Sequence, residues 1–396
     1  MSKTEKIVQK YEKYIMNTYK RVPLCLEKGK GSFVWDIDGK EYLDFFPGWA
    51  VSGTGHCHPM VSKAVSAQVK KLIHVSNNYF SRTQALLAEA IIRNSFPGKV
   101  FFGNSGAEAN EAAVKLARKY GSPTGRFEII TMIRSFHGRT LAMITATGQD
   151  KVKIGFEPLP AGFIHVPFND IEAARKAVSD NTIGIMLEPI QCEGGLNIAD
   201  RDYIKALRAL CDEKDLVLIF DEVQTGMGRS GHMFAFKNYG VTPDVMTLAK
   251  SLGGGMPIGA CVAREKFQDV LTPGTHASTF GGSPIVCAAA LAVFGSIKRE
   301  KLLRNANSMG AYLKKRLEGL KSKYGFIKEI RSLALIVGVE LEIKGEEIYK
   351  DCLKEGLLIN CTQDTVLRVM PPITVKKAEI DKAVSILDKV FSKYDK

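Results

Sequence analysis

Pro243-Asp244-Val245-Met246-Thr247-Leu248-Ala249-Lys250-Ser251-Leu252-Gly253-Gly254-Gly255 is a short apolar run that delivers a single lysine into a turn of three glycines. Apolar surroundings disfavour an ammonium and lower its proton affinity. The neutral amine is a nucleophile that forms a Schiff base with a carbonyl. The glycines let a bulky group come close to the backbone. The same residues also suit a lysine whose stem lies on apolar surface while its head stays in water. This stretch alone leaves both open.

Upstream, Leu216-Val217-Leu218-Ile219-Phe220-Asp221-Glu222-Val223-Gln224-Thr225-Gly226 is an apolar run of the buried-strand type that ends on a carboxylate. Ligands of open parallel sheets bind at the carboxyl ends of the strands. Two neighbouring strands of this kind therefore bring Asp221 and Lys250 to one edge. A cofactor that works as an electron sink needs both: an amine to hold its aldehyde, and a carboxylate to keep its ring nitrogen protonated.

Working outward, strands expected at 127–133, 163–166, 183–188, 217–220, 245–248 and 258–263 alternate with helices at 171–178 and 203–213. That rhythm predicts an α/β fold with a mostly parallel sheet covered by helices on both faces. Helices are expected at 7–20, 61–73 and 83–94, with a hairpin over 31–42 turning at Asp38-Gly39. Lys99-Val100-Phe101-Phe102 runs into Gly103-Asn104-Ser105-Gly106-Ala107-Glu108, where Ser105 and Glu108 match a capping box. A helix starting there offers free N–H groups and a positive dipole end to a phosphate. The helical pattern from Pro284 to Lys321 breaks near 300, and the rest reads as a smaller α+β unit. The division expected is 1–60 as an N-terminal segment of the small domain, 61–295 as the large domain, and 296–396 as the C-terminal part of the small domain.

Composition narrows the function classes. The 396 residues are 45% hydrophobic and 24% charged, as in ordinary globular proteins, and no run approaches a membrane span. The N-terminus lacks the apolar core of a secretory signal. Eight scattered cysteines without a C-x-x-C pair suit reduced thiols in a cytoplasmic protein. The formal charge of +13 is spread along the chain without interleaved aromatics or a nucleic-acid motif, so a solvated basic surface is expected rather than nucleic-acid binding. His56-Cys57-His58 lacks further ligands nearby, and no metal site is expected.

These motifs, in order from Phe33 to Pro372, resemble the class III aminotransferases of the fold-type I pyridoxal phosphate group, closest to their acetylornithine branch. The segments carrying that closer likeness are Thr18–Arg21, Tyr42–Phe45, Gly103–Glu111 and Ala249–Gly255. The resemblance implies pyridoxal 5'-phosphate on Lys250, with Asp221 at the ring nitrogen, Ser105, Gly106, Ala107 and Thr279 at the phosphate, and Phe136, His137, Glu188 and Gln224 around the ring. Thr279 would reach the phosphate across the interface of a homodimer. For substrates it implies Arg139 on a donor carboxylate, and Arg368 paired with Glu193, which moves aside for a dicarboxylic partner. The substrates implied are N2-acetylornithine and 2-oxoglutarate, with ornithine, 4-aminobutyrate or succinyl-diaminopimelate as other possible donors. Trp49 and Asn78 depart from the family pattern in segments that line the substrate pocket of relatives, Trp49 standing where ornithine δ-aminotransferases have tyrosine.

Overall fold

The computed structural model describes residues 1–395. Its large sheet has seven strands in the spatial order Gly98–Gly103, Gly259–Arg264, Val245–Leu248, Val217–Asp221, Thr182–Leu187, Glu128–Met132 and Phe163–Val166. Every pairing is parallel except the two made by Gly259–Arg264. The expected mostly parallel sheet is therefore present, with strand bounds that match within a residue or so. The central strands Thr182–Leu187, Val217–Asp221 and Val245–Leu248 are buried at every position. This is why they read as continuous apolar runs rather than alternating ones.

The helix Gly106–Gly121 lies on this sheet and buries Ala109, Ala112, Ala113, Leu116 and Ala117. Its small side chains bring the helix axis close to the strands. Its start is capped as the sequence predicts, with the Glu108 N–H donating to Ser105 Oγ at 3.2 Å. The return bond differs: the Glu108 carboxylate accepts from the N–H of Asn104, one residue earlier, at 2.6 Å. The glutamate thus pins the loop before the cap as well as the cap itself.

Helix limits differ where start signals compete with periodicity. The first helix spans Lys3–Tyr14 rather than 7–20, because Ser2 and Glu5 form a complete capping box ahead of the apolar stripe. The long pattern after Pro284 is two helices, Pro284–Arg299 and Leu302–Lys323, separated at Lys301, whose φ is 53°.

Towards the C-terminus, Ile327–Leu333, Ile336–Leu341, Val366–Val369 and Asn360–Thr362 form a four-stranded antiparallel sheet; the helix Leu302–Lys323 packs on it, and the helix Lys377–Phe391 packs on that helix. Leu357 and Leu358 pair in parallel with Leu43 and Asp44, so the N-terminal hairpin lies against the C-terminal part of the chain.

Candidate active site

Asp221 ends its strand at the carboxyl edge of the sheet, buried and held by three donors. Its Oδ2 accepts from Asn110 Nδ2 and from His137 Nδ1, both at 2.8 Å, and its Oδ1 accepts from the Val223 N–H at 3.0 Å. Asn110 is fixed in turn, since its Oδ1 accepts from Thr247 Oγ1 at 2.6 Å and its Nδ2 also donates to the His137 carbonyl at 2.7 Å. Four segments of chain therefore agree on one carboxylate position, and a buried carboxylate with this many donors is held in place.

Lys250 follows the adjacent strand with φ at +42°, a conformation that costs energy for a residue with a Cβ. The next turn holds it there. Ser251 Oγ donates to the Ala50 carbonyl at 2.7 Å, and a Cβ on Gly254 would meet Val293 Cγ2 at 2.8 Å. The Lys250 amine has no ion-pair or hydrogen-bond partner among the described residues, so it is free to react.

A cavity of about 360 Å³ opens between these residues. Ser105, Gly106, Ala107, Phe136, His137, Glu188, Asp221, Gln224 and Lys250 all line it, as does Glu193. Gly106 is glycine for a packing reason beyond anion approach: a Cβ there would meet Val223 Cγ1 at 2.8 Å. The His137 ring is fully buried, with its Nδ1 spent on Asp221. Glu188 Oε2 accepts the Phe136 N–H at 3.0 Å, and burial together with the nearby Asp221 charge pushes its carboxyl well above the usual glutamate range. A protonated Glu188 avoids a second buried negative charge beside Asp221. Gln224 donates from Nε2 to the Trp49 carbonyl at 3.0 Å, while its Oε1 is buried without a partner among the described residues.

The remaining candidates lie around this cavity. Arg368 is buried; its Nη1 donates to Glu193 Oε1 at 2.5 Å, and its guanidinium stacks 4.5 Å from the centre of the Phe46 ring. Burial alone would raise the Glu193 carboxyl, but the charge and hydrogen bond of Arg368, helped by Lys250 and Lys151, hold it below the usual range. Arg139 is exposed at the rim with its guanidinium over the Phe136 ring at 5.4 Å. Trp49 is 47% exposed, with φ at 57° and its ring edge-on to Phe46 at 6.5 Å, so it stands beside the Arg368 cluster rather than in the cavity wall. Thr279 is exposed and does not line the cavity of its own chain.

Two contributors escape sequence reasoning. Asn110 sits on the helix face that also buries Ala113 and Ala117, and a polar residue in that apolar stripe was the available signal. Asn360, which contacts Arg368, lies in a short strand with nothing local to mark it.

A lysine and a clamped carboxylate at the end of neighbouring parallel strands, above a helix N-terminus, are the layout of a pyridoxal phosphate-dependent aminotransferase. The chain belongs to the class III aminotransferases, whose family model matches residues 14–391. It is 52% identical over 392 residues to the acetylornithine aminotransferase of Methanocaldococcus jannaschii, covering 97% of this chain and 98% of that protein. Among solved structures, the ornithine aminotransferase of Toxoplasma gondii superposes with a TM-score of 0.95 at 33% identity, covering 100% of this chain and 96% of that one. The acetylornithine aminotransferase of Elizabethkingia anophelis superposes with a TM-score of 0.89 at 30% identity, covering 99% of this chain and all (100%) of the other.

Proposed function

We propose that the protein moves the δ-amino group of N2-acetylornithine to 2-oxoglutarate, giving N-acetylglutamate 5-semialdehyde and glutamate, a step of arginine biosynthesis. The cavity suits pyridoxal 5'-phosphate on observations of this chain. Gln224 Oε1 is an unspent buried acceptor for a ring hydroxyl, the Lys250 amine is unpaired, and the N–H groups of Gly106 and Ala107 head a helix without intrahelical acceptors. Bound there, the cofactor supplies an aldehyde for amines and an electron-accepting ring.

The residues divide the remaining work. Asp221, clamped by Asn110 and His137, would keep the ring nitrogen protonated. Phe136 would cover the ring, and Ser105 with the first helical turn would take the phosphate. Lys250 Nζ would hold the cofactor by its aldehyde and serve as the base and acid that moves the proton of the donor's amine-bearing carbon. Arg139 receives the donor carboxylate while Glu193 covers Arg368. A dicarboxylic acceptor displaces Glu193 and places its second carboxylate on Arg368. We further propose the three-part division 1–60, 61–295 and 296–396, and a cytoplasmic homodimer in which Thr279 serves the partner's site. Eight free cysteines agree with that compartment.

The observation that carries the donor choice is the 52% identity, over nearly the full length, to an acetylornithine enzyme. The likeness to ornithine aminotransferases is closer in shape than in sequence, at 33% identity. Trp49 stands beside Phe46 and Arg368 rather than in the cavity wall, so the donor choice does not rest on it. Steady-state kinetics with both donors test this. The expected kcat/KM is higher for N2-acetylornithine. An unmodified protein that handles ornithine at least as well overturns the assignment.

A further inference from the structure

Arg368 carries five N–H donors in a planar fork. Nη1 meets Glu193 Oε1 at 2.5 Å and the Cys192 carbonyl at 3.3 Å. The opposite side of the group, formed by Nε and Nη2, is taken by one atom, Asn360 Oδ1, at 2.8 and 2.5 Å. Of the positions around this guanidinium, among the described residues only the one held by Glu193 belongs to a side chain that sits at the cavity wall. The Asn360 contact is built into the sheet, because Asn360 and Arg368 are direct partners in the antiparallel pair Asn360–Thr362 with Val366–Val369. Phe46 covers the face of the group.

We propose that Asn360 is a positioning residue that tunes Arg368 for the second carboxylate of a dicarboxylic substrate. It fills the Nε/Nη2 side with a neutral oxygen, so that the guanidinium keeps its charge for a carboxylate that takes the Nη1 position held by Glu193 once Glu193 withdraws. This rests on the assignment of Arg368 to the dicarboxylic acceptor given above. The chemistry of residue 360 decides how that exchange works. An aspartate there would place a permanent counter-charge on a buried guanidinium, on a paired strand from which it could not swing away. Arg368 would then be neutral in effect whether or not Glu193 moved, and an incoming carboxylate would find little to attract it. An amide oxygen satisfies the same two donors without cancelling the charge, and leaves Glu193 as the one removable counter-ion at the cavity side.

The test uses holoenzyme and reads the two half-reactions separately, with glutarate as a non-reacting dicarboxylate competitor. Asn360→Asp is expected to raise KM for 2-oxoglutarate, and the inhibition constant of glutarate, by about tenfold or more, while the ω-amine half-reaction moves by less than about twofold. Asn360→Ala, which frees the fork but keeps the charge, is expected to lose only about threefold. Glutarate binding unchanged in Asn360→Asp, or an equal loss in both variants, overturns the proposal. Should Asn360→Asp not fold, an Asn360→Ala protein with unaltered glutarate binding overturns it. Arg368→Ala separates the two levels of inference. If that variant binds glutarate normally, the assignment of Arg368 itself fails. If it weakens glutarate but Asn360→Asp does not, the role of Asn360 alone fails.

Discussion

Two adjacent carboxylates, Asp221 and Glu222, are treated in opposite ways by the fold. Asp221 receives imidazole and amide donors and faces the cavity. Glu222 points the other way and is fully buried, accepting the backbone N–H groups of Ala235 and Phe236 at 2.5 and 2.7 Å. Burial outweighs those two bonds, and its carboxyl is pushed from 4.5 up to about 7. Between those values the folded chain keeps a proton that the unfolded chain has released, so this group's stabilising contribution is lost as pH rises through about 7. At ~1.4 kcal/mol per pH unit, the loss is on the order of 3 kcal/mol. Glu222→Gln cannot titrate. The thermal midpoint of the unmodified protein should therefore fall relative to that of the variant between about pH 5 and about pH 8. A gap that stays constant over this range would show that Glu222 is ionised throughout.

Elements of secondary structure decide which residues meet, and here the chain was unevenly legible. The buried strands ending at Asp221 and preceding Lys250 announce themselves, since continuous apolar runs bounded by glycine and carboxylate have few other uses. The cap at Ser105 is local chemistry and is equally plain. The Arg368 cluster is not local. Its parts come from the loop at Phe46, the turn at Glu193, and the two strands holding Asn360 and Arg368, which only tertiary packing unites. Family likeness pointed to Glu193 and Arg368, but no pattern in the sequence pointed to Asn360. Likewise, nothing local told that His137 would spend its ring on Asp221.

The Glu193 turn itself makes a prediction at this scale. Thr362 Oγ1 and Gln363 Nε2 both donate to the Glu193 carbonyl, at 2.8 and 3.0 Å, so the backbone is anchored while the side chain alone has freedom to move. Glu193→Ala should leave the turn in place and Arg368 uncovered. Single-turnover measurements should then show the glutamate half-reaction favoured over the ω-amine half-reaction by about tenfold relative to the unmodified protein, the worth of ~1.4 kcal/mol of lost competition. If the ratio of the two half-reactions does not move, the ion pair is structural and the gating account fails.

At the scale of the whole molecule, the single chain leaves large apolar side chains uncovered around the Thr279 loop. Thr279 is exposed beside Phe280, which is 62% exposed, and Tyr79 and Phe80 are likewise uncovered at 73% and 108%. The Thr279 loop is nonetheless not loose. Asn104, next to the helix cap, donates to Ser278 Oγ at 3.2 Å, and Asn77 Nδ2 donates to the carbonyls of Ser278 and Gly281, both at 3.0 Å. A tethered, exposed loop whose threonine does not line the cavity of its own chain is suited to the cavity of a second copy. Removing one hydrogen bond to a charged phosphate costs about 1.5–3 kcal/mol, so Thr279→Ala should weaken cofactor binding by roughly tenfold or more. Mixed dimers locate the contact. In a dimer of one Thr279→Ala chain and one Lys250→Ala chain, a cross-subunit Thr279 leaves the only site with a lysine fully equipped, because its threonine comes from the other chain. Cofactor titration of purified mixed dimers should then reveal one catalytically competent site with unimpaired affinity. If Thr279 serves its own chain, that site carries the alanine and binds the cofactor as weakly as the Thr279→Ala homodimer, and the shared-site arrangement is wrong.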